Sequence, residues 1–104
     1  MKIQLLYFDD CPSWQTALQN LKAACELEGL AWPIELVEVR DEDAAPLRFL
    51  GSPSLVVDGE DLWPEPRQAY YMSCRMHGTP EGMRGWPTVD MLRVRLRVLR
   101  QGVR

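Results

Sequence analysis

The hydrophobic pattern at the start of the chain changes period at Pro12. Residues 3–8 are apolar or aromatic except for one glutamine, which is typical of a buried strand. After Pro12 the apolar positions fall on one face of a helix, namely Trp14, Ala17, Leu18, Leu21, Ala24 and Cys25. Proline fits the first turn of a helix and Gly29 fits its end. The pattern therefore predicts a strand followed by an amphipathic helix of about four turns.

Three further strands are predicted in the middle of the chain. Residues 33–39 alternate between apolar and acidic side chains, which indicates a strand with one face in water. With the first strand and the helix, this strand favours a right-handed βαβ unit. Residues 41–45 have acids suited to the start of a short helix, weakened by Pro46. Residues 54–57 predict a third strand, Asp58-Gly59 a hairpin turn, and residues 60–63 a short acidic edge strand.

The last third of the chain divides into a long irregular part and a helix. Residues 64–86, called the insertion below, contain three prolines of the chain's eight and three glycines of its seven, so we expect a long connection there. Alternation of Tyr70, Met72, Cys74 and Met76 allows a local strand or helical turn. A final helix is predicted from Pro87 to about Leu99. Its core stripe is Val89, Leu92, Leu96 and Leu99, and its exposed stripe is Arg93, Arg97, Arg100 and Arg104.

Length and charge narrow the class of protein. The 104 residues suit one domain, 1–104, and no apolar run is long enough to span a membrane. The first residues lack the pattern of a signal peptide, which favours a cytoplasmic location. Residues 1–65 carry 13 acids and four bases, and residues 66–104 carry two acids and eight arginines. We expect the two halves to neutralise each other by packing, and we expect no nucleic acid partner because no aromatic residue follows Trp86.

Cys11 is the strongest candidate for a reactive residue. It stands at the predicted strand-to-helix junction, where unpaired backbone N–H groups and the helix dipole favour a thiolate. Asp9 and Asp10 oppose that thiolate because nearby negative charge disfavours a second anion. The chain has three cysteines at wide spacings, which is not the framework of a small secreted disulfide protein. Cys25 lies on the apolar helix face and is predicted to be a core residue.

These features together resemble the thioredoxin-like fold. The chain is most similar to small bacterial thioredoxin-family proteins with a Tyr-Phe-Asp-x-Cys-Pro start, here from Tyr7 to Pro12. The shared motifs also include Phe49 to Pro53, Val57 to Gly59, and Cys74-Arg75. The resemblance implies a β-α-β-α-β-β-α domain with a four-stranded mixed sheet and the insertion before the last helix. Some proteins of this group bear names that connect them with alkylmercury lyases.

The resemblance also implies a binding site around Cys11. Pro53 stands where the family has a cis-proline facing the active cysteine, and backbone at the position of Ser52 pairs with the substrate chain. Pro12 and Trp14 would border the same site. Thioredoxin itself has Cys-x-x-Cys, whereas the fourth position here is Trp14, so a local dithiol cycle is excluded. Cys11 is then expected to act as a monothiol nucleophile.

Cys74 decides what that monothiol can do, and several interpretations stay open. Cys74 would resolve a mixed disulfide on Cys11, clamp a soft metal together with it, or pack as a small buried thiol. Arg75 would stabilise a thiolate or an anionic ligand, or remain a solvated loop residue. The Cys-x-x-His spacing to His77 is weak evidence for zinc, and we expect neither a metal centre nor a cofactor.

Three functions are consistent with these residues. The first is a thiol–disulfide oxidoreductase or redox-responsive protein, with Cys11 and Cys74 as reacting residues and a protein or low-molecular-weight thiol as partner. The second is a non-catalytic thioredoxin-like module that binds a peptide, a partner chain or its own copy, so that a homodimer stays open. The third is soft-metal binding of the mercury type through both thiolates, with Asp9 or Asp10 as proton donor. No membrane partner is expected.

Overall fold

The computed structural model describes residues 1–102 and contains six strands and two helices within that range. The strands are β1 (Ile3–Tyr7), β2 (Ile34–Glu38), β3 (Ser54–Val57), β4 (Glu60–Asp61), β5 (His77–Thr79) and β6 (Gly82–Arg84). The helices are α1 (Ser13–Leu27) and α2 (Val89–Gly102). Arg104, predicted in the exposed arginine stripe, lies outside the described residues. Neither helix of the described part combines the length and the apolar character that crossing a membrane requires.

β1 is an inner strand of a four-stranded mixed sheet with the order β2-β1-β3-β4. It pairs parallel with β2 and antiparallel with β3, and β4 pairs antiparallel with β3. A parallel pair needs a crossover, which α1 provides, whereas an antiparallel pair needs only a tight turn. Asp58 and Gly59 make that turn with φ angles of +50° and +88°, the positive values that a type I′ hairpin requires.

The two faces of the sheet are buried against different parts of the chain. Ile3 and Leu5 of β1 face α1 and α2, where they pack with Leu21, Leu92 and Leu96. Leu6, the residue after Leu5, faces the other side of the sheet and packs with Val39, Ala44 and Phe49. Burying each of these large side chains contributes roughly 1.5–3 kcal/mol to folding. Both helices therefore lie on one face, and the start of α1 is held at one end of the sheet.

Two predicted segments differ from the structure. The short helix expected after residue 40 is a single 3-10 turn, Asp41–Asp43. Pro46 explains this, because it has no N–H to continue a helical ladder and disfavours helical geometry in the residue before it. The insertion is less irregular than expected, because β5 and β6 pair as an antiparallel hairpin. Its other β pairing among the described residues is an isolated parallel bridge between Ser52 and Cys74.

The opposite charges of the two halves meet around Glu28. Its side chain is 4% exposed and accepts hydrogen bonds from Arg97 at 2.6 Å and from Arg93 at 2.9 Å. Arg100 donates to the Glu28 carbonyl oxygen at 2.7 Å, where α1 ends. The bonds from Arg97 and Arg93 lower the pKa of Glu28 to about 2. The arginine stripe of α2 is therefore partly neutralised by α1, as the charge pattern predicts.

Candidate functional site

Cys11 occupies the turn between β1 and α1. Its N–H donates to the Phe8 carbonyl oxygen at 3.1 Å, which closes the turn, and Pro12 follows as the N-cap of α1. The residue is only 2% exposed. The cysteine thus lies at the N-terminus of a 15-residue helix, as predicted, but it is buried beneath the surrounding chain.

The partner of Cys11 is Cys74, to which it is joined by a disulfide bond. The two residues are 63 positions apart in the sequence, and their Cα atoms lie 6.0 Å apart. Cys74 is exposed, so the interpretation as a small buried packing thiol is wrong. Cys11 is accordingly not a lone thiol in this state. The second cysteine comes from the insertion, in place of the position that Trp14 occupies.

Ser52 connects the segment of Cys74 to the sheet. Its N–H donates to the Ser73 carbonyl oxygen at 2.8 Å, and its own carbonyl oxygen accepts from the Arg75 N–H at 2.9 Å. The Ser52 hydroxyl also accepts from the Phe8 N–H at 3.2 Å. Both backbone groups of Ser52 are thus used by the chain itself, so the expected pairing with a substrate chain is not available in this state.

Pro12 and Trp14 lie at the start of α1, next to Cys11 in the sequence, and Pro53 lies directly before β3. The Ser52–Pro53 peptide bond is cis, the geometry that the resemblance implies, and Pro53 is fully buried. Pro12 is exposed beside Cys11. Trp14 stacks on Tyr7 with ring centroids 4.3 Å apart and packs against the core under the helices. Trp14 is therefore largely a packing residue at the foot of the site, and Pro12 is the accessible one.

Arg75 has a structural position that sequence analysis did not predict. The residue is 4% exposed, and its guanidinium donates to Asp61 at 2.9 Å and to Glu65 at 3.2 Å. It also donates to the Trp63 carbonyl oxygen and to the Ser54 hydroxyl. An arginine with its donors committed in this way fixes the insertion to β4. The expectation of a solvated residue is wrong, and its charge is already neutralised by carboxylates rather than offered to a ligand.

Gly51 shows how closely the Cys74 segment approaches the sheet. Its φ is +116°, and a Cβ atom on it would lie 2.9 Å from the Cβ of Arg75. Only glycine allows both this backbone conformation and this contact. The glycine of the Gly-Ser-Pro sequence therefore permits the bridge between Ser52 and Cys74.

The Cys-x-x-His spacing makes His77 a weak candidate metal ligand, yet the residue is buried beside the site. Its ring meets Trp63 edge-on at 5.7 Å, and its Nε2 has no hydrogen-bond partner within residues 1–102. Burial, and then the positive charge of Arg75, lower the pKa of His77 to about 4. The imidazole is therefore neutral at physiological pH. No sequence signal indicated this, since a single histidine carries no periodic pattern.

The remaining candidate ligands do not form a metal cluster. Across the described range, no group of three or more His, Cys, Asp or Glu side chains is placed to hold a metal ion. Cys25 is a free thiol at 6% exposure in the core, and burial raises its pKa. Its prediction as a core residue is confirmed, and of the three cysteines only Cys11 and Cys74 are paired.

Comparison with known proteins adds nothing to this geometry. No family model matches the chain, and neither the curated proteins nor the solved structures contain a significant match. A function for this chain therefore has to be inferred from the disulfide and the residues that hold it.

Proposed function

We propose that this chain is a thioredoxin-like thiol–disulfide exchange protein whose redox centre is the pair Cys11 and Cys74. The observation that carries the proposal is the disulfide between a cysteine at the N-terminus of α1 and an exposed cysteine of the insertion. A helix N-terminus lowers the pKa of a thiol, and access from solvent lets a partner reach the bond.

The arrangement of secondary structure supports the same proposal. A parallel β1-α1-β2 unit, an antiparallel β3-β4 hairpin and a second helix on the face of α1 are the order expected for a thioredoxin-like domain. Cys11 and the Ser52-Pro53 loop approach each other at one end of this sheet through the bond between Phe8 and Ser52. The second cysteine of the pair then comes from the insertion, in place of the missing second thiol of a Cys-x-x-Cys motif.

The test is whether the disulfide is exchanged while the protein stays folded. The oxidised protein is titrated with mixtures of reduced and oxidised dithiothreitol, quenched in acid, alkylated and weighed by mass spectrometry. We expect a reversible two-electron equilibrium between disulfide and dithiol. The reduced protein should also reduce the disulfide bonds of insulin in catalytic amounts when a dithiol is supplied.

Matched variants separate exchange from a purely structural bond. Cys25→Ala should keep the equilibrium and the turnover, because Cys25 is a separate core thiol. Cys11→Ser and Cys74→Ser should each abolish turnover. If the disulfide resists reduction until the protein unfolds, the bond is structural and the proposal of thiol–disulfide exchange is overturned.

Soft-metal binding is a second candidate that the same geometry favours. Reduction would leave two thiols on residues whose Cα atoms are 6.0 Å apart, and soft thiolates select soft cations. We expect the reduced protein to bind one Hg²⁺ per chain, with the ultraviolet absorption of a bis-thiolate complex. Either cysteine-to-serine variant should lose that stoichiometric signal, and an unchanged signal in both variants would contradict the assignment.

A further inference from the structure

The two cysteines of the disulfide differ in exposure. Cys11 is 2% exposed, whereas Cys74 is an exposed residue. In thiol–disulfide exchange the thiolate attacks one sulfur along the direction of the bond, so access decides which sulfur is attacked. The surrounding chain therefore shields Cys11 and leaves Cys74 within reach of a partner.

The backbone at Cys74 is open on the same edge. In a parallel bridge, Ser52 binds the residues before and after Cys74, so the N–H and C=O of Cys74 itself point away from Ser52. No hydrogen bond between described residues uses these two groups. The edge that carries Cys74 is consequently not covered by another strand of residues 1–102.

The two sulfur atoms also differ as leaving groups. Cys11 precedes the first turn of α1, where the positive end of the helix dipole stabilises an anion. Asp9 and Asp10 are exposed, so water and salt screen their charges. Cys74 lies in an extended segment, and the neighbouring guanidinium of Arg75 is taken up by Asp61 and Glu65. A better stabilised thiolate leaves faster, so the helix dipole favours departure of Cys11 over departure of Cys74, while the burial of Cys11 acts against it.

Exposure and the helix dipole thus agree, and we infer that Cys74 is the residue that exchanges with the partner, while Cys11 is the buried leaving and resolving thiol. This assignment rests on the proposed function and reverses the roles that sequence analysis expected. It also assigns the insertion, rather than the start of α1, as the element that meets the partner thiol.

The reaction balances with a dithiol as reductant. One thiolate of the dithiol attacks the sulfur of Cys74, a mixed disulfide forms, and the electron pair of the broken bond stays on the sulfur of Cys11. The second thiolate of the dithiol then attacks the dithiol's other sulfur atom, the one bonded to Cys74 in the mixed disulfide. Cys74 leaves as a thiolate. The dithiol loses two electrons and becomes a disulfide, the protein gains them, and solvent supplies any protons that the two thiolates take up.

The first experiment maps the mixed disulfide in the wild-type protein. The oxidised protein is mixed with excess reduced glutathione, quenched in acid within milliseconds to seconds, alkylated and digested for peptide mass spectrometry. We expect glutathione on Cys74 and the alkyl group on Cys11, with at least a ten-fold excess over the reverse pattern. Glutathione mainly on Cys11 would overturn the assignment.

The second experiment compares single variants in a Cys25→Ala background, after circular dichroism has shown that they are folded. Cys11→Ser should form a mixed disulfide with oxidised glutathione at least ten-fold faster than Cys74→Ser, at equal fractions of thiolate. Equal rates, or a faster Cys74→Ser variant, would contradict the inference. A wild-type disulfide that does not exchange at all would instead overturn the proposed function, so the two failures are distinguishable.

Discussion

Cys74 stands beside Ser52 in a parallel bridge, with the Ser52 N–H bound to Ser73 at 2.8 Å and the Arg75 N–H bound to the Ser52 carbonyl oxygen at 2.9 Å. The same Cys74 is covalently bonded to Cys11. One segment of the insertion is therefore bonded to the sulfur of Cys11 and hydrogen-bonded to the backbone of the loop before β3. In the oxidised state the chain fills its own candidate binding site.

Reduction should lower the free energy of unfolding without removing the fold. The disulfide closes a loop of 63 residues, and the entropy model assigns about 4 kcal/mol to a loop of that size. Urea denaturation with and without a phosphine reductant measures the difference. The double variant Cys11→Ala/Cys74→Ala is the control, and a reductant effect that persists in it would contradict this explanation.

Gly51→Ala should be distinctly more destabilising than Gly59→Ala. Both glycines have positive φ, +116° and +88°, so both variants acquire backbone strain of about 1–3 kcal/mol. Only at Gly51 would the new Cβ lie 2.9 Å from Arg75, while at Gly59 it meets nothing within 4 Å. Overpacking of this kind costs a further 1–3 kcal/mol, roughly. Equal losses in thermal or urea denaturation would show that the contact with Arg75 is unimportant.

Arg75→Met should be among the most destabilising single changes. It leaves Asp61, whose side chain is 13% exposed, without its cation, and breaking such a buried pair costs about 3–5 kcal/mol. Burial already raises the pKa of Asp61, against the opposing effect of Arg75. Adding Asp61→Asn to Arg75→Met should recover part of the loss. Arg40→Met, at an exposed position, is the control and should have little effect.

Glu28→Gln should change how the free energy of unfolding depends on pH in the acidic range. The pKa of Glu28 is lowered from 4.5 to about 2, so its stabilising contribution is complete above pH 4.5 and disappears as the pH falls toward 2. We expect the variant to be less stable at neutral pH and to lose less stability over that window. Glu26→Gln, an exposed glutamate near the same helix end, should retain the wild-type slope. Parallel wild-type and Glu28→Gln curves would refute this account.

His77→Gln should remove a different part of the dependence of unfolding free energy on pH. Because the pKa of His77 is lowered from 6.5 to about 4, the unfolded chain binds a proton there that the folded chain excludes. Wild-type stability should therefore fall as the pH decreases from 6.5 toward 4, and this component should be missing in the variant. Titration of the His77 ring by NMR gives the direct measurement, and an ordinary pKa near 6.5 would contradict the prediction.

Much of the fold followed from local patterns. The strand at residues 3–8, the helix after Pro12, the hairpin at Asp58-Gly59 and the last helix were predicted close to their observed bounds. Each depends on a periodicity or a turn residue that acts within a few positions along the chain. The helix expected after residue 40 failed because one proline outweighed the acids before it, and the hairpin of the insertion was missed because its strands have only three residues each.

The sequence by itself determined that Cys11 stands at the start of a helix and that Trp14 excludes a local second thiol. Only the tertiary structure decided that Cys74 is bonded to Cys11, that Ser52 is occupied by the chain itself and that Arg75 is buried between carboxylates. These contacts join residues from 10 to 63 positions apart. They depend on how the insertion packs over the sheet, where many weak contacts compete and no short-range pattern favours one pairing over another.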